Sequence, residues 1–279
     1  MKRVVTIQDI SCLGKCSLTV ALPIISVFGV ETCVIPTAVL STHTMFKNFT
    51  FRDLTCDMRP ILKHWQDEKF EFNAIYTGYL GSFEQINLVK EYFAALKNDN
   101  CVTVVDPVMA DNGKLYPGFT VDFAKEMATL CATADYIVPN LTEACIMLDK
   151  EYIEKGYSRE YIKDILLSLA NLGAKTAILT GVSFADGETG VMGYDSQTKE
   201  FFEYYHKRID ASYHGTGDIF SSTFVGALTK GYKVLDALKV ACDYTAKCVE
   251  ITVNNPNSVK YGVEFENAIP YLVKKLENE

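Results

Sequence analysis

Hydrophobic positions recur along the chain with two different spacings, and these predict alternating strands and helices. Short runs rich in β-branched residues are typical of buried strands, whereas apolar residues three or four positions apart are typical of amphipathic helices. The predicted strands are Val4–Gln8, Glu31–Pro36, Ala74–Gly78, Val102–Asp106, Tyr136–Pro139 and Thr176–Thr180. The predicted helices cover residues 17–28, 53–66, 83–97, 120–132, 142–148, 159–172, 217–230, 234–253 and 263–276.

The order of these elements predicts an α/β fold. Most strands follow one another at about 30 residues with a helix between them, which indicates βαβ units and a parallel sheet covered on both faces. Near the end of the pattern, Gly190–Tyr194 and Glu200–Tyr205 flank a polar turn and predict a hairpin on the sheet edge. Because no repeat or linker rich in Pro, Gly or Ser interrupts the pattern, we expect one domain over residues 1–279.

Composition narrows the class of protein. A chain of 279 residues, 48% of them hydrophobic, can bury a sizeable core. Its net charge is -8 and no block of basic residues occurs, so a nucleic-acid partner is not expected. The nine cysteines are odd in number and form no CxxC pair, which predicts neither a disulfide framework nor a zinc site and favours a reducing cytoplasm. No signal peptide or membrane helix is predicted, so we expect no membrane partner.

Polar and glycine-bearing segments follow the predicted strands. In open parallel sheets, ligands bind beyond the carboxyl ends of the strands, so these segments are the first candidates for a site. They are Gln8-Asp9, the residues from Thr37 onward, TGYLGS at 77–82, DPVMAD at 106–111, PNLTE at 139–143 and Thr180-Gly181.

The stretch YHGTGDIF, residues 213–220, opens a predicted helix. Gly215 and Gly217 lack a Cβ, so an anion can approach the N–H groups that a helix start leaves unpaired at the positive end of its dipole. Asp218 follows in the first turn, where the dipole keeps it ionised. A carboxylate beside an anion site predicts a base for a hydroxyl that attacks a phosphoryl group. The alternative is an ordinary helix N-cap made by Thr216 or Asp218.

Four motifs together, GTGD, DPVMADNGKLY, PNLTE and TGYLGS, resemble the vitamin-kinase branch of the ribokinase-like superfamily, and most closely the pyridoxal kinases. The resemblance covers nearly the whole chain. It implies a central, mostly parallel sheet with helices on both faces and a small edge hairpin. It also implies a kinase that uses ATP and Mg²⁺ to phosphorylate the hydroxymethyl group of a B6 vitamer. The resemblance is compatible with a bound monovalent cation such as K⁺ and implies a homodimer. No GxxxxGK[ST] occurs, so ATP binding by a P-loop is not expected.

The same resemblance implies roles for individual residues. Asp218 corresponds to the catalytic base, and Gly215, Thr216 and Gly217 cradle the transferring phosphate. Asp106 and Glu143 resemble acids that hold Mg²⁺ largely through water, the arrangement that this ion prefers. The remaining matches are Asn140 by the ATP phosphates, Thr180 at a phosphate, Asp111 and Tyr116 in a flexible flap over the nucleotide, and Tyr79, His43 and Thr44 beside the pyridine ring.

Each assignment has a simpler structural alternative. Asp106 precedes a proline and could merely end a strand. Asn140 and Glu143 could form the N-cap and first turn of helix 142–148, a role compatible with ligand binding. Tyr79 could be a partly buried core tyrosine, and His43 could simply be hydrogen-bonded.

Two further features separate related functions. Sugar kinases of this superfamily carry a β-sheet lid after the first strand, but here a helix fills the 22 residues from 9 to 30. That spacing favours a vitamin kinase over a sugar kinase. Some related pyrimidine-type kinases carry cysteine where this chain has Asp218. The alternatives to a B6 kinase are a hydroxymethylpyrimidine kinase of thiamine synthesis and a silent nucleotide-binding regulator. The retained Asp218 and both metal-side acids disfavour the regulator.

The chain also departs from the family pattern. Asp9 stands where pyridoxal kinases carry a serine, and Ala110 replaces a glycine, which should stiffen the flap. We expect the carboxylate of Asp9 to pair with the ammonium group of pyridoxamine. The alternative is that Asp9 only caps a turn or the next helix.

Overall fold

The computed structural model of the protein describes residues 1–277. Its strands, in chain order, are β1 (Arg3–Ser11), β2 (Glu31–Leu40), β3 (Phe51–Asp53), β4 (Ala74–Thr77), β5 (Val102–Val105), β6 (Ala110–Asp111), β7 (Lys114–Leu115), β8 (Tyr136–Ile137), β9 (Thr176–Val182), β10 (Glu188–Asp195) and β11 (Glu200–Lys207). Nine of them form a sheet with the order β11-β10-β9-β8-β5-β4-β1-β2-β3, and β6 and β7 pair separately.

Nine helices are found within residues 1–277, and each predicted helix is present with ends within two residues of those expected. They are α1 (Leu18–Val27), α2 (Thr55–Asp67), α3 (Phe83–Leu96), α4 (Val121–Cys131), α5 (Leu141–Leu148), α6 (Arg159–Leu172), α7 (Thr216–Lys230), α8 (Val234–Asn254) and α9 (Phe265–Glu277). In this described range, no helix combines the length and apolar character needed to cross a bilayer.

The pairing of the strands confirms the predicted fold class. The pairs β1·β2, β5·β8 and β8·β9 are parallel, as strands joined through helices require. Antiparallel strands lie at both edges, with β3 on β2 at one edge and the predicted hairpin β10–β11 at the other. The carboxylate of Asp195 accepts the N–H groups of Gln197 and Thr198, which closes the turn of that hairpin.

The chain divides into two compact units, each described by itself. The first contains Met1–Ile75 and the chain from Arg208 onward. In it, α1 packs on β1 and on α7, and α8 packs on both α7 and α9. The fully buried Tyr244 joins the last two helices, because its hydroxyl donates to the carbonyl of Phe265 at 3.0 Å.

The second unit contains Tyr76–Lys207, with α3 to α6 around the strands β5 to β11. Asp135 is a buried centre of charge in this unit. Its carboxylate pairs with Lys97 and Lys175, each at 2.7 Å, and accepts the backbone N–H of Thr103 at 2.8 Å. The single kinase domain inferred from the sequence stays a prediction.

The first two strands are longer than expected. Gln8 pairs with Pro36, which has no N–H to donate, and the register between β1 and β2 shifts between Gln8 and Ile10. The bulge lets both strands continue, so Asp9 and Thr37 lie inside strands rather than at their ends. The placement of these residues at strand ends was therefore wrong, and so was that of Thr180 and Gly181, because β9 continues to Val182. The short strands β3, β6 and β7 were not predicted.

Candidate active site

A tight turn precedes α7 at the GTGD segment. The helix begins at Thr216 and its N-cap is Gly215, whose φ of 84° lies in the left-handed region. A Cβ built on Gly215 would lie 1.9 Å from the carbonyl oxygen of Lys15, so only glycine fits. Neither Thr216 nor Asp218 is the N-cap, and the hydroxyl of Thr216 donates to the carbonyl of Tyr213 at 3.3 Å. The simple capping alternative for these two residues is wrong.

The other end of this turn is open. A Cβ on Gly217 would meet no atom within 4 Å, so the turn leaves space beside the first N–H groups of α7. Asp218 follows in the first turn of the helix. Burial, together with the charges of Asp218 and Asp9, raises the pKa of the Cys16 thiol to about 12. Cys16 therefore remains a protonated thiol near two carboxylates and is a poor nucleophile.

The loop that carries Cys16 is held in place by Lys15. The ammonium of Lys15 pairs with Glu266 at 2.5 Å and lies 5.6 Å from the ring centroid of Phe265, at the start of α9. The side chain of Lys15 thus contacts α9, and its backbone carbonyl oxygen packs against Gly215. This contact between distant parts of the chain was not predicted.

Asp9 lies at the bulge in β1 and is only 5% exposed. The hydroxyl of Ser11 donates to its Oδ2 at 3.2 Å. Burial raises the pKa of the Asp9 carboxyl, and hydrogen bonds from Ser17 and Ser11 oppose that effect. A buried carboxyl with these partners can offer a strong ionic contact to a cation that reaches it.

Both ring nitrogens of His43 are engaged. Nε2 lies 2.8 Å from the carbonyl oxygen of Tyr261, and Nδ1 accepts the N–H of Met45 at 3.3 Å. These partners assign the proton to Nε2 of a neutral ring. His43 is hydrogen-bonded, as its structural alternative expected, and its ring stacks 5.8 Å from that of His214. Its role beside the vitamer stays a prediction. Thr44 is exposed in the following turn.

In the second unit, Glu143 is a buried hub of hydrogen bonds, only 3% exposed. Its Oε2 accepts the N–H of Asn140 at 3.0 Å, and the amide oxygen of Asn140 accepts the N–H of Glu143 at 2.9 Å. This reciprocal pair is a capping box at the start of α5. The other carboxylate oxygen accepts the N–H groups of Met109 and Ala110 at 3.1 and 3.5 Å. The capping alternative is confirmed, and it is compatible with a second role of Glu143 in metal binding.

Asp106 is close enough to Glu143 to affect its charge. Burial raises the pKa of Glu143 well above its ordinary value, the charge of Asp106 raises it further, and the three backbone N–H groups oppose both effects. Asp106 is itself only 6% exposed. Two buried carboxyl groups that repel each other suit a divalent cation. In the part of the chain that the structure describes, no three acidic, histidine or cysteine side chains gather to bind a metal.

The predicted flap is a hairpin, Ala110–Leu115, called the flap hairpin below. Its two-residue turn, Asn112-Gly113, has φ values of 51° and 75°, as a type I′ turn requires. Asp111 accepts the N–H of Asn112 at 2.8 Å, and Tyr116, 37% exposed, donates its N–H to the carbonyl of Met109 at 2.8 Å. Asn-Gly is a strong hairpin signal that could have revealed these strands from the sequence.

Thr180 and Asn140 lie side by side. They form an isolated parallel bridge, and the N–H of Thr180 donates to the carbonyl of Pro139 at 3.0 Å. The amide of Asn140 also donates to the carbonyl of Ala110 at 2.8 Å, at the base of the flap hairpin. The second unit thus contains all six residues predicted for the nucleotide and the metal.

Tyr79 is half-buried in an aromatic group. Its ring centroid lies 5.6 Å from that of Phe119, which lies 4.5 Å from that of Phe123. Phe119 follows the flap hairpin in the chain, so Tyr79 neighbours the same part of the second unit. Its role at the substrate stays a prediction.

Comparison with known proteins identifies relatives among the vitamin kinases. The phosphomethylpyrimidine kinase family model matches residues 28–264. A solved Bacteroides thetaiotaomicron protein assigned to the phosphomethylpyrimidine kinases, in a crystal form with pyridoxal, is 36% identical with a TM-score of 0.91 and covers 97% of this chain and 95% of that one. The structure of pyridoxal kinase from Lactobacillus plantarum is 27% identical with a TM-score of 0.90 and covers 100% and 99%.

A curated relative comes from thiamine synthesis. The chloroplastic thiamine biosynthetic bifunctional enzyme of Arabidopsis thaliana is 31% identical over 174 residues, which make up 62% of this chain and 32% of that protein. The match therefore spans about a third of that relative.

The fold and these likenesses define a vitamin kinase with the ribokinase-like fold, and hence a phosphotransferase, as the sequence predicted. The chain belongs to the phosphomethylpyrimidine kinase family.

Proposed function

We propose that the enzyme transfers the terminal phosphoryl group of ATP to the 5′-hydroxymethyl group of a B6 vitamer, as a step in the salvage of pyridoxal phosphate. One observation carries the proposal. A glycine N-cap that only glycine can occupy opens α7, and Asp218 stands in the first turn of the same helix. Phosphoryl transfer to an alcohol needs donors for the moving phosphate and a base for the hydroxyl, and this turn offers both.

Asp218 acts as the base in this proposal and takes the proton of the hydroxymethyl group as its oxygen attacks phosphorus. The N–H groups of Gly215, Thr216 and Gly217 stabilise the charge on the transferring phosphate. The donors are backbone groups of one helix start that also carries Asp218, so the backbone fixes the donors and the Cα of the base.

The nucleotide and metal roles are proposed for the second unit. Asp106 and Glu143 would hold Mg²⁺, which would supply positive charge to neutralise the phosphates. Asn140 and Thr180 contact the phosphates, and Asp111 and Tyr116 cover the nucleotide. The buried, mutually repelling carboxyls of Asp106 and Glu143 support this assignment, because they favour a cation.

The remaining predicted residues are proposed to contact the vitamer. Tyr79, His43 and Thr44 flank the pyridine ring, and the carboxylate of Asp9 pairs with the ammonium group that pyridoxamine carries on this ring. The pyridoxal in the crystal form of the Bacteroides relative supports a B6 substrate for this chain. We also propose that the chain works as a single kinase domain in the cytoplasm, forms a homodimer and accepts a monovalent cation such as K⁺.

Hydroxymethylpyrimidine is the second candidate substrate. The family model is that of phosphomethylpyrimidine kinases, and the Arabidopsis relative is an enzyme of thiamine biosynthesis. Both alcohols carry a hydroxymethyl group on a nitrogen heterocycle, so the same base and phosphate turn serve either reaction.

A panel of alcohols tests the proposal. ADP release is measured with ATP, Mg²⁺ and each of pyridoxal, pyridoxamine, pyridoxine and hydroxymethylpyrimidine. We expect at least one B6 vitamer to have a kcat/KM ten times or more above that of the pyrimidine. The reverse order would assign the enzyme to the pyrimidine, and no ADP with any alcohol would support a silent nucleotide-binding protein.

A further inference from the structure

The flap hairpin is held at two points by the same helix. At its base, Asn140 donates to the carbonyl of Ala110 at 2.8 Å, and Glu143 accepts the N–H of Ala110 at 3.5 Å. At its tip, the hydroxyl of Thr142 accepts the N–H of Gly113 at 2.9 Å. The first turn of α5 therefore contacts both ends of the hairpin.

Tyr152 completes the hold on the tip. A Cβ built on Gly113 would lie 2.9 Å from Cδ1 of Tyr152, so the tyrosine ring packs directly against the glycine backbone. Burial raises the pKa of the Tyr152 phenol, and a hydrogen bond from Thr142 opposes that effect. Thr142, which is only 2% exposed, accepts the backbone N–H of Gly113, and the ring of Tyr152 covers the same glycine. Thr142 and Tyr152 have no part in the chemistry described above.

We propose that Thr142 and Tyr152 are positioning residues that fix the flap hairpin and thereby set the affinity for the nucleotide. The inference rests on the proposed function of the hairpin as the wall over ATP. A two-residue turn on two-residue strands has little intrinsic stability, because so few ladder hydrogen bonds hold it. Anchoring its tip before ATP arrives removes part of the ordering cost that binding would otherwise carry.

The matched substitutions are Thr142→Val and Thr142→Ser. Valine keeps the shape of threonine but cannot accept the N–H of Gly113, whereas serine keeps the hydroxyl. We expect Thr142→Val to raise the KM for ATP, and the Kd of a non-hydrolysable ATP analogue measured by calorimetry, by about 3- to 10-fold, as the loss of one hydrogen bond predicts. The kcat and the KM for the vitamer should stay within twofold, and Thr142→Ser should restore the wild-type values within twofold.

Tyr152→Phe tests the second contact. It removes the phenol and keeps the ring on Gly113, so we expect a smaller rise of about 2- to 3-fold in both nucleotide constants. The double variant should resemble Thr142→Val alone, because both residues act through one hydroxyl. Ser158→Ala is the control, since Ser158 also accepts one backbone N–H, that of Tyr161 at 3.1 Å, but caps α6. It should leave both nucleotide constants unchanged.

Three results would overturn the inference: nucleotide constants for Thr142→Val within twofold of wild type, a Thr142→Ser variant as impaired as the valine, or equal rises in the KM for ATP and for the vitamer. Calorimetry separates this inference from the proposed reaction. If the wild type binds the analogue but phosphorylates no alcohol, the reaction fails while the variants still test the hairpin. If the wild type binds no nucleotide, both fail.

Discussion

The carbonyl oxygen of Lys15 packs against Gly215 so closely that an added Cβ would lie 1.9 Å from it. Lys15 is held in turn by its ion pair with Glu266 at 2.5 Å. The conformation of the turn before α7 thus depends on a loop 200 residues away in the chain. This relationship predicts that the two glycines of the GTGD turn differ in their tolerance of a side chain.

Gly215→Ala should destabilise the protein, and Gly217→Ala should not. Alanine at position 215 would meet the carbonyl of Lys15 and adopt a φ of 84°, so we expect a loss of more than about 1 kcal/mol and a Tm lower by at least about 2 °C. A Cβ at position 217 meets open space within a helix, so the Tm of Gly217→Ala should equal or exceed that of the wild type. Equal Tm values for both variants would contradict the close approach.

Asp218→Asn should abolish most turnover while leaving ATP binding intact. The amide keeps the shape of the side chain but cannot take a proton, so we expect kcat to fall by about 10²-fold or more, with the Kd for ATP within about twofold. Asp236→Asn is a matched control, because Asp236 occupies the third helical position of α8 as Asp218 does in α7. A near-normal kcat for Asp218→Asn would show that another group accepts the proton.

Local patterns predicted much of this molecule, and contacts between distant segments account for what was missed. The helices follow from apolar spacing, and the Asn140–Glu143 capping box joins residues three apart, so both are visible in the sequence. The contact of Lys15 with Gly215, and that of Tyr152 with Gly113, join segments that the sequence does not bring together.

The bulge at Asp9 shows why strand ends were harder to place. The sequence predicts that β2 ends at Pro36, but the shift of register opposite it allows the strand to continue to Leu40. Candidate segments were found because polar motifs follow predicted strands, and the resemblance to a kinase family singled out most of the residues within them. Their partners, such as Ser11 for Asp9 and Thr142 for Gly113, depend on side-chain packing that periodicity does not encode.

Glu143→Gln should raise the Mg²⁺ concentration needed for half-maximal activity more than it raises the KM for the vitamer. The glutamine amide lacks the charge that the carboxylate places beside Asp106, which weakens the site for a cation. Its NH₂ group would also face backbone N–H groups that now donate to the carboxylate, so we expect a lower Tm as well. Saturating Mg²⁺ should recover most of the kcat, which a purely structural loss would not allow. Glu160→Gln, in the first turn of α6, is the control. An unchanged Mg²⁺ titration would limit Glu143 to its capping role.

Asp9→Ser should reduce a preference for pyridoxamine over pyridoxal. Asp9 is buried with Ser11 and Ser17 as partners, and only pyridoxamine carries an aliphatic ammonium that can pair with it. A charge-assisted hydrogen bond of about 1.5–3 kcal/mol corresponds to about 10- to 150-fold in kcat/KM. Because burial raises the pKa of Asp9, lowering the pH should protonate it and shrink the wild-type preference, whereas the ratio of the serine variant should respond less. The measurement is the kcat/KM ratio of the two vitamers against pH, and a ratio that changes by less than about twofold on substitution would show that Asp9 does not recognise the amine.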